Sequence, residues 1–254
     1  SEVWLEVGLP DGRRALLTGA PVALKPIRPY RPARKQLPAR TPLMDQTAIV
    51  IPIYRGVEET RACIESVLLT VDDDQKVILV NDASPEADMQ PMLVAFTDDP
   101  RVTLLRNGKN LGFPGAANRG MAAAPAHDII LLNSDTQLFH GWLDRLEAHA
   151  RAARDIATVT PLSNAGSIAS YPGGEENSCD EKTARLLDNL AAHANEGQHV
   201  DVPTGVGFCM FIRRACIEQI GGLDETLFAQ GYGEENDFCR RASAHGWRHV
   251  IVGD

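Results

Sequence analysis

The sequence predicts an α/β fold with a mainly parallel central sheet flanked by helices. From residue 47 onward, short apolar runs rich in β-branched residues alternate with stretches of helical periodicity. These runs are apolar throughout, which is typical of strands that are buried on both faces of a sheet. The chain has 254 residues, of which 44% are hydrophobic and 23% charged, so it can bury one substantial core.

The predicted elements follow one another in a regular order. We predict strands over residues 47–53, 76–80, 102–105 and 128–132, and helices over residues 58–69, 85–96, 114–124 and 141–153. A later helix is predicted from Glu234 to His245, and residues 250–252 have the pattern of a final strand. Ligands of mainly parallel sheets bind at the carboxyl ends of the strands, so the residues just after each strand are the candidate site residues.

The first 46 residues differ from the rest of the chain. Residues 1–20 are predicted to be a short β appendage or the tail of a preceding domain, with two strand patterns on either side of the turn at residues 10–12. Residues 21–46 combine prolines with Lys and Arg, which favours an extended linker. Residues 47–254 form the main domain. We expect it to be truncated at its C-terminus and to belong to a longer multidomain chain, because the sequence stops directly after a strand pattern.

Charge and cysteine content exclude several function classes. Residues 1–40 carry eight Lys or Arg against three acids, whereas residues 41–254 carry 17 against 31. The acidic main domain is therefore a poor nucleic-acid binder, and the basic segment is either a solvated linker or a contact for anionic lipid or a partner. The five cysteines are scattered and contain no C-x-x-C pair. We expect reduced, mostly buried thiols rather than a disulfide framework or a zinc knuckle.

The sequence contains no run of about 18 apolar residues, and its first residues lack the pattern of a signal peptide. We therefore expect a cytoplasmic protein. Peripheral association with a membrane stays open.

Acidic residues follow two of the predicted strands. Asp82 comes after residues 76–80, and its alternative role is to cap the next helix together with Ser84 and Pro85. Asp135 comes after an apolar strand and would lie at the mouth of a crevice, where a hard divalent cation takes one or two protein carboxylates. Its alternative role is the cap of the following turn.

A glycine-rich loop over residues 106–120 runs into a helix opened by Pro114. Small residues let the backbone approach a ligand, and free amides at a helix start favour phosphate. The loop lacks the G-x-G-x-x-G spacing of dinucleotide-binding proteins. A simple turn followed by a tightly packed helix is the alternative interpretation.

Three acids, Glu234, Glu235 and Asp237, begin the last predicted helix behind a glycine-rich loop. Acids in the first turn suit the helix dipole, so some of them are structural, and Asp237 is expected to pair with Arg240 or Arg241. A carboxylate on a rigid element beside a mobile loop is also what a general base needs.

Taken together, these motifs resemble family 2 of the glycosyltransferases, enzymes of the GT-A fold. The matching segments are residues 49–56, 80–84, 110–113 with Asn118 and Gly120, 132–135, and 233–237 followed by Arg240 or Arg241. The resemblance covers residues 47–254, and it depends on the order and spacing of five motifs.

The resemblance implies a role for each matching residue. Asp135 stands at the metal-binding D-x-D motif, and Glu235 or Glu234 is the catalytic base. The residues implied in binding the nucleotide donor are Pro52, Tyr54, Asp82, Asn110, Gly112, Asn118, Asn133 and Ser134. Two positions depart from the family pattern: Asn133 replaces the first aspartate of D-x-D, and Glu234-Glu235 replaces the usual Glu-Asp pair. Many members also carry a metal-binding histidine shortly after the position where this chain ends.

The implied reaction is the transfer of a sugar from a nucleotide-diphosphate donor to a hydroxyl acceptor, with inversion and with help from Mn or Mg. Lys109 or an arginine would assist the departing phosphate. The acceptor is a glycan, a lipid-linked glycan or a small molecule, and residues 163–167 and 203–205 are expected near the donor. Two rivals are a sugar nucleotidyltransferase, which needs a basic glycine-rich loop after the first strand, and a non-catalytic carbohydrate-binding domain of a larger synthase.

Overall fold

A computed structural model describes residues 46–172, 177–229 and 231–254, together with the backbone of four short strands nearer the N-terminus. The chain forms two compact units, Ser1–Ala33 and Arg34–Asp254. In the first unit the short strands are β1 (Glu2–Val3), β2 (Glu6–Gly8), β3 (Arg14–Leu16) and β4 (Val22–Ala23). β2 pairs antiparallel with β3, which confirms the predicted hairpin, and β1 pairs with β4. The division into residues 1–20, 21–46 and 47–254 stays a prediction, and most of the predicted linker lies outside the described residues.

The second unit is a mixed α/β domain. Its strands are β5 (Thr47–Ile53), β6 (Lys76–Asn81), β7 (Val102–Arg106), β8 (Asp128–Leu132), β9 (Ile156–Thr160), β10 (His199–Val202), β11 (Cys209–Ile212) and β12 (Arg248–Val252). Its helices are α1 (Val57–Thr70), α2 (Met89–Ala95), α3 (Gly112–Ala122), α4 (Trp142–Ala152), α5 (Glu181–Ala194), α6 (Arg214–Ile220) and α7 (Glu234–Ala244). The eight strands form one sheet in the order β10-β12-β9-β11-β8-β5-β6-β7.

The sheet is parallel where the sequence predicted it and mixed elsewhere. β7, β6, β5 and β8 are parallel neighbours, and β12 is parallel to β9. β11 runs antiparallel between β8 and β9, and β10 is an antiparallel edge strand. The eight-stranded sheet flanked by helices confirms the predicted fold class.

Alternating side chains of each buried strand pack into two separate cores. On β5, Ile49, Ile51 and Ile53 face α1, α2 and α4, whereas Ala48 and Val50 face α3 and the side of the sheet that also holds α6 and α7. All seven residues of β5 are buried, because successive side chains point to opposite faces and both faces are covered.

Two adjacent arginines cap the C-terminal ends of helices, one on each face of the sheet. Arg213, which is 1% exposed, donates hydrogen bonds to the carbonyls of Ala150 and Ala153 at the end of α4. Arg214 donates in the same way to the carbonyls of Met121 and Ala124 at the end of α3. These bonds satisfy carbonyls that have no partner within their helices.

Four of the five cysteines are buried and all five are free thiols, as predicted. Burial raises the pKa of the Cys63 thiol to about 12. Among the described residues, no helix has both the length and the apolar character that crossing a membrane requires.

Candidate active site

The carboxyl ends of β5, β6 and β8 meet at one edge of the sheet, because these strands are parallel neighbours. Pro52 is buried within β5, and Tyr54, directly after the strand, exposes 39% of its surface. The guanidinium of Arg55 lies 5.5 Å from the centre of the Tyr54 ring. An exposed aromatic ring at this edge is available to stack on a flat ligand. The nucleotide-binding role of Pro52 and Tyr54 stays a prediction.

Asp82 is almost fully buried at the end of β6, and its partners belong to the protein itself. Its carboxylate accepts hydrogen bonds from the Asn107 side chain at 2.6 Å and from the backbone N–H of Leu111 at 2.9 Å. These bonds fasten the loop after β7 to the end of β6. The geometry gives Asp82 a positioning role, and its contact with a nucleotide base stays a prediction.

The start of α3 differs from what the sequence led us to expect. The helix begins at Gly112, two residues before Pro114. The backbone N–H of Leu111 donates to Asp82, and that of Gly112 donates to Oδ1 of Asn110 at 2.7 Å. The expectation of free amides for a phosphate is therefore wrong at these two positions, because protein oxygens already occupy them.

Asn118 joins α3 to the loop that follows α6. Its Nδ2 donates to the carbonyl of Leu223 at 2.8 Å, and its Oδ1 accepts from the N–H of the same residue at 2.9 Å. The two ends of the amide are thus bonded to one backbone residue. This contact positions the loop, and the donor-binding role implied for Asn118 stays a prediction.

The turn after β8 presents Asp135 to solvent. The backbone N–H of Asn133 donates to the carbonyl of Phe208 at 2.8 Å, and the N–H of Thr136 donates to the carbonyl of Asn133. Asp135 is exposed, and Ser134 is half-buried. The described residues contain no cluster of three or more metal-ligating side chains. A single exposed carboxylate still suits Mg or Mn, which take their other ligands from diphosphate and water.

The two candidate bases lie at the first turn of α7. Glu234 is 5% exposed, and burial raises the pKa of its carboxyl group. Glu235 is half-buried, and one oxygen of each carboxylate is buried without a hydrogen-bond partner among the described residues. Carboxylates held out of water in this way are typical of functional sites.

The chain enters α7 through three consecutive residues of left-handed backbone, Gly231, Tyr232 and Gly233. A Cβ atom at Gly233 would lie 3.1 Å from the ring of Phe228, so the close approach of this ring favours glycine. One turn further on, Asp237 pairs with Arg241 at 2.7 Å, which confirms its predicted structural role.

One backbone segment joins the Asp135 turn to Glu235. The carbonyl of Phe208 holds the N–H of Asn133, as described above. A carboxylate oxygen of Glu235 lies 3.9 Å from the position that a Cβ atom at Gly207 would occupy. The turn that carries Asp135 and the carboxylate of Glu235 therefore both adjoin residues 207–208, which precede β11 at the edge of the sheet where β8 ends.

A cavity of about 460 Å³ opens beside Asp135, between α4, α5 and the loop after β9. Asn133, Asp135 and Phe208 contribute to its wall, together with residues 163–165. Neither Glu234 nor Glu235 lines it, nor do Pro52, Tyr54 and Asp82. The cavity thus adjoins the proposed cation position on the side away from β5 and β6. Gly207, Phe208 and the α5 side chains that shape this region were not singled out by the sequence, since a contact between distant segments leaves no local pattern.

Comparison with known proteins identifies the family. A family model described as glycosyl transferase family 2 matches residues 48–221. The chain belongs to family 2 of the glycosyltransferases. Its enzyme class is therefore sugar transfer, as the order of the five motifs predicted.

Two curated relatives come from Mycobacterium tuberculosis. N-acetylglucosaminyl-diphospho-decaprenol L-rhamnosyltransferase is 26% identical over 233 residues, which cover 83% of this chain and 74% of that protein. Pre-mycofactocin glycosyltransferase is 26% identical over 218 residues, which cover 85% of this chain and 41% of that protein.

Solved structures share the GT-A fold. The structure of GalNAc-T7 with UDP, GalNAc and Mn²⁺ has a TM-score of 0.63 at 18% identity, over 82% of this chain and 42% of that one. The mannosyltransferase PcManGT from Pyrobaculum calidifontis, in complex with GDP-Man and Mn²⁺, has a TM-score of 0.56 at 14% identity, over 86% of this chain and 61% of that one. This chain thus spans about half the length of these structures, and the likeness establishes the fold.

Proposed function

We propose that this chain transfers a sugar from a nucleotide-diphosphate donor to a hydroxyl acceptor, with inversion at the anomeric carbon and with the assistance of a divalent cation. The observation that supports the proposal is that the turn carrying Asp135 is bonded to Phe208 and that the carboxylate of Glu235 lies next to Gly207. The family assignment supports sugar transfer over nucleotidyl transfer and over a non-catalytic role.

Asp135 is the proposed cation ligand, with the side-chain oxygen of Asn133 as a further contact. A bound Mn²⁺ or Mg²⁺ would neutralise charge on the departing diphosphate. The exposed carboxylate of Asp135 fits this role, and two structural neighbours were solved with Mn²⁺. Tyr54 and Pro52 would contact the base, and Lys109 or an arginine would assist at the phosphates.

Glu235 is the proposed general base. It removes the proton of the acceptor hydroxyl while that oxygen attacks the anomeric carbon, and the nucleotide diphosphate leaves from the opposite face. One displacement inverts the anomeric configuration. Glu235 is favoured over Glu234 because its carboxylate faces Gly207, next to the segment that contacts the Asp135 turn. The acceptor is a glycan, a lipid-linked glycan or a small molecule, and the name of one relative includes a sugar linked through diphosphate to decaprenol.

Two matched substitutions test the assignment of the base. Glu235→Gln is expected to keep donor binding and to lower the transfer rate by about 10²- to 10⁴-fold, as for loss of a general base. Glu234→Gln should have the smaller effect. Donor affinity would be measured by calorimetry with UDP, dTDP and GDP sugars, and the anomeric configuration of the product by NMR. Normal transfer by both variants, or a product of retained configuration, would contradict the proposal.

A further inference from the structure

The cavity beside Asp135 carries an unequal set of charges. Among the described residues that line it are four carboxylates and one guanidinium, that of Arg145. The acidic members are Asp135, Glu181, Asp188 and Asp254. Arg145 is neutralised by Asp188 on α5, at a distance of 2.6 Å. Glu181 is in turn paired with Arg185 at 2.8 Å, and Asp254 is hydrogen-bonded to His149 at 2.7 Å. Among the described residues of the wall, no cationic side chain is therefore free to pair with a carboxylate or a phosphate of a ligand.

The α4–α5 ion pair lies in a poorly hydrated part of the wall. The side chains of Arg145 and Asp188 are 21% and 22% exposed. Burial raises the pKa of Asp188 even though a guanidinium is adjacent. Nearby are the apolar side chains of Leu138, Trp142 and Phe208. Aromatic and aliphatic walls with a few polar groups suit a ligand that combines C–H faces with hydroxyls.

The position of the cavity along the sheet distinguishes it from the nucleotide end of the site. Tyr54 and Asp82 follow β5 and β6, whereas the cavity begins at the end of β8 and extends towards the loop after β9. The diphosphate of a donor held by Asp135 would separate the two regions. Phe208 lines the cavity, and its neighbour Gly207 lies against the carboxylate of Glu235, so an acceptor whose sugar unit occupies the cavity would extend to the proposed base.

We infer that this cavity binds an uncharged, hydroxyl-bearing sugar unit of the acceptor, and that the Arg145–Asp188 pair excludes acidic sugars from it. This inference rests on the proposed function and adds the class of acceptor to it. Because Asp188 pairs with the guanidinium of Arg145, this guanidinium is not available to the carboxylate of an acidic sugar. A phosphate on the same acceptor remains outside the cavity.

Matched pairs of glycosides test the charge selection. The probes are 4-nitrophenyl glucoside and galactoside, each beside the corresponding uronide, which differs only in a carboxylate at C6. Binding would be measured by saturation-transfer NMR with UDP and Mg²⁺ at pH 7. We expect at least one neutral glycoside to bind about fivefold or more tightly than its uronide, as one unfavourable charge interaction of about 1 kcal/mol implies. Equal or tighter binding of both uronides would overturn the inference.

Variants locate the bound probe. Asp188→Asn leaves Arg145 unpaired and should raise uronide affinity until the preference disappears, whereas Asp144→Asn, an exposed α4 residue outside the cavity wall, should leave the preference unchanged. Ala184→Trp fills the cavity and should abolish glycoside binding, whereas Leu190→Trp, on the exposed face of the same helix, should not. Binding that survives Ala184→Trp would overturn the inference.

The proposed function can fail separately from this inference. Retained transfer by Glu235→Gln, together with the expected glycoside preference, would contradict the assigned base and leave the cavity assignment intact. Loss of transfer by Glu235→Gln, together with no glycoside preference, would support the assigned base and contradict the cavity assignment.

Discussion

The buried carboxyl group of Glu234 is costly to the folded chain. It is 5% exposed, and one of its oxygens has no hydrogen-bond partner among the described residues. Loss of hydration is the main cause of its raised pKa, and the nearby Glu235 adds to it. Leaving a charged oxygen unsatisfied in a buried place costs roughly 1–3 kcal/mol. Such a cost is expected where a carboxylate is held for function.

We predict that Glu234→Gln stabilises the protein at neutral pH by about 1 kcal/mol. The folded state of the wild type binds the Glu234 proton more tightly than the unfolded state, whose pKa lies near the ordinary value of 4.5. Wild-type stability should therefore fall as the pH rises from that value through the raised pKa, and the fall should be smaller in the variant. Urea denaturation between pH 4 and 8 measures this difference. Glu196→Gln, at an exposed site, is the control and should change stability by less than about 0.5 kcal/mol.

The sequence identified important residues but not the partners of their side chains. Asp82 and Asn118 were singled out by motif, yet their hydrogen bonds run to Leu111 and Leu223, the second of which is 105 positions away. An acid after a strand has the same local pattern whether it binds a ligand or another loop. The difference depends on how distant segments pack, which local periodicity does not encode.

At the scale of elements, α3 and the loop after α6 fit together through a glycine. Gly112 has φ of 75°, and a Cβ atom there would lie 1.9 Å from the carbonyl oxygen of Ala229. No side chain fits in that space unless the backbone moves. The loop that leads into α7 therefore depends on the first residue of α3.

Gly112→Ala is expected to destabilise the protein by at least about 2 kcal/mol, because it combines a left-handed backbone with a collision against a carbonyl. Gly108→Ala is the matched control in the preceding loop, since a Cβ atom there meets nothing within 4 Å. It should change stability by less than about 0.5 kcal/mol. Denaturation curves of both variants at one pH give the comparison. Equal stability of the two variants would show that the loop at Ala229 moves away from the new Cβ atom without lowering the free energy of unfolding.

The elements around the parallel strands β5 to β8 could be predicted from the sequence. Most of those around β9, β10 and β11 could not. β5 and β8 were predicted with their observed bounds, and α1, α3 and α4 lie within two residues of the prediction. The predicted helix over residues 85–96 is shorter, Met89–Ala95, and the side chain of Glu86, ahead of the helix, accepts a hydrogen bond from the N–H of Gly56. The sequence analysis assigned no element to β9, β10, β11, α5 or α6. The strand β11 has only four residues, too few for a distinctive period.

Across the whole molecule, the proposed site joins two parts of the sheet. The nucleotide end follows β5 and β6, the cation ligand follows β8, and Glu235 belongs to α7 on the opposite face from α1 and α4. A lone carboxylate at Asp135 binds a hard cation weakly, because such cations need several oxygen ligands. The diphosphate of a donor supplies the others, so nucleotide and cation should each strengthen the binding of the other by the same factor.

This coupling predicts how ligands shift the stability of the whole chain. With Mn²⁺ present, the nucleotide diphosphate that binds best should raise the unfolding free energy by about 2.7 kcal/mol at a hundred times its dissociation constant, and the same concentration without Mn²⁺ should raise it by less. Asp135→Asn should remove the increment due to Mn²⁺ and leave the increment due to nucleotide alone. Asp144→Asn, an exposed acid on α4, should keep both increments. Thermal unfolding with and without EDTA gives the nucleotide increment and the Mn²⁺ increment of each variant. If the Mn²⁺ increment survives in Asp135→Asn, the cation is held elsewhere and the assigned ligand is wrong.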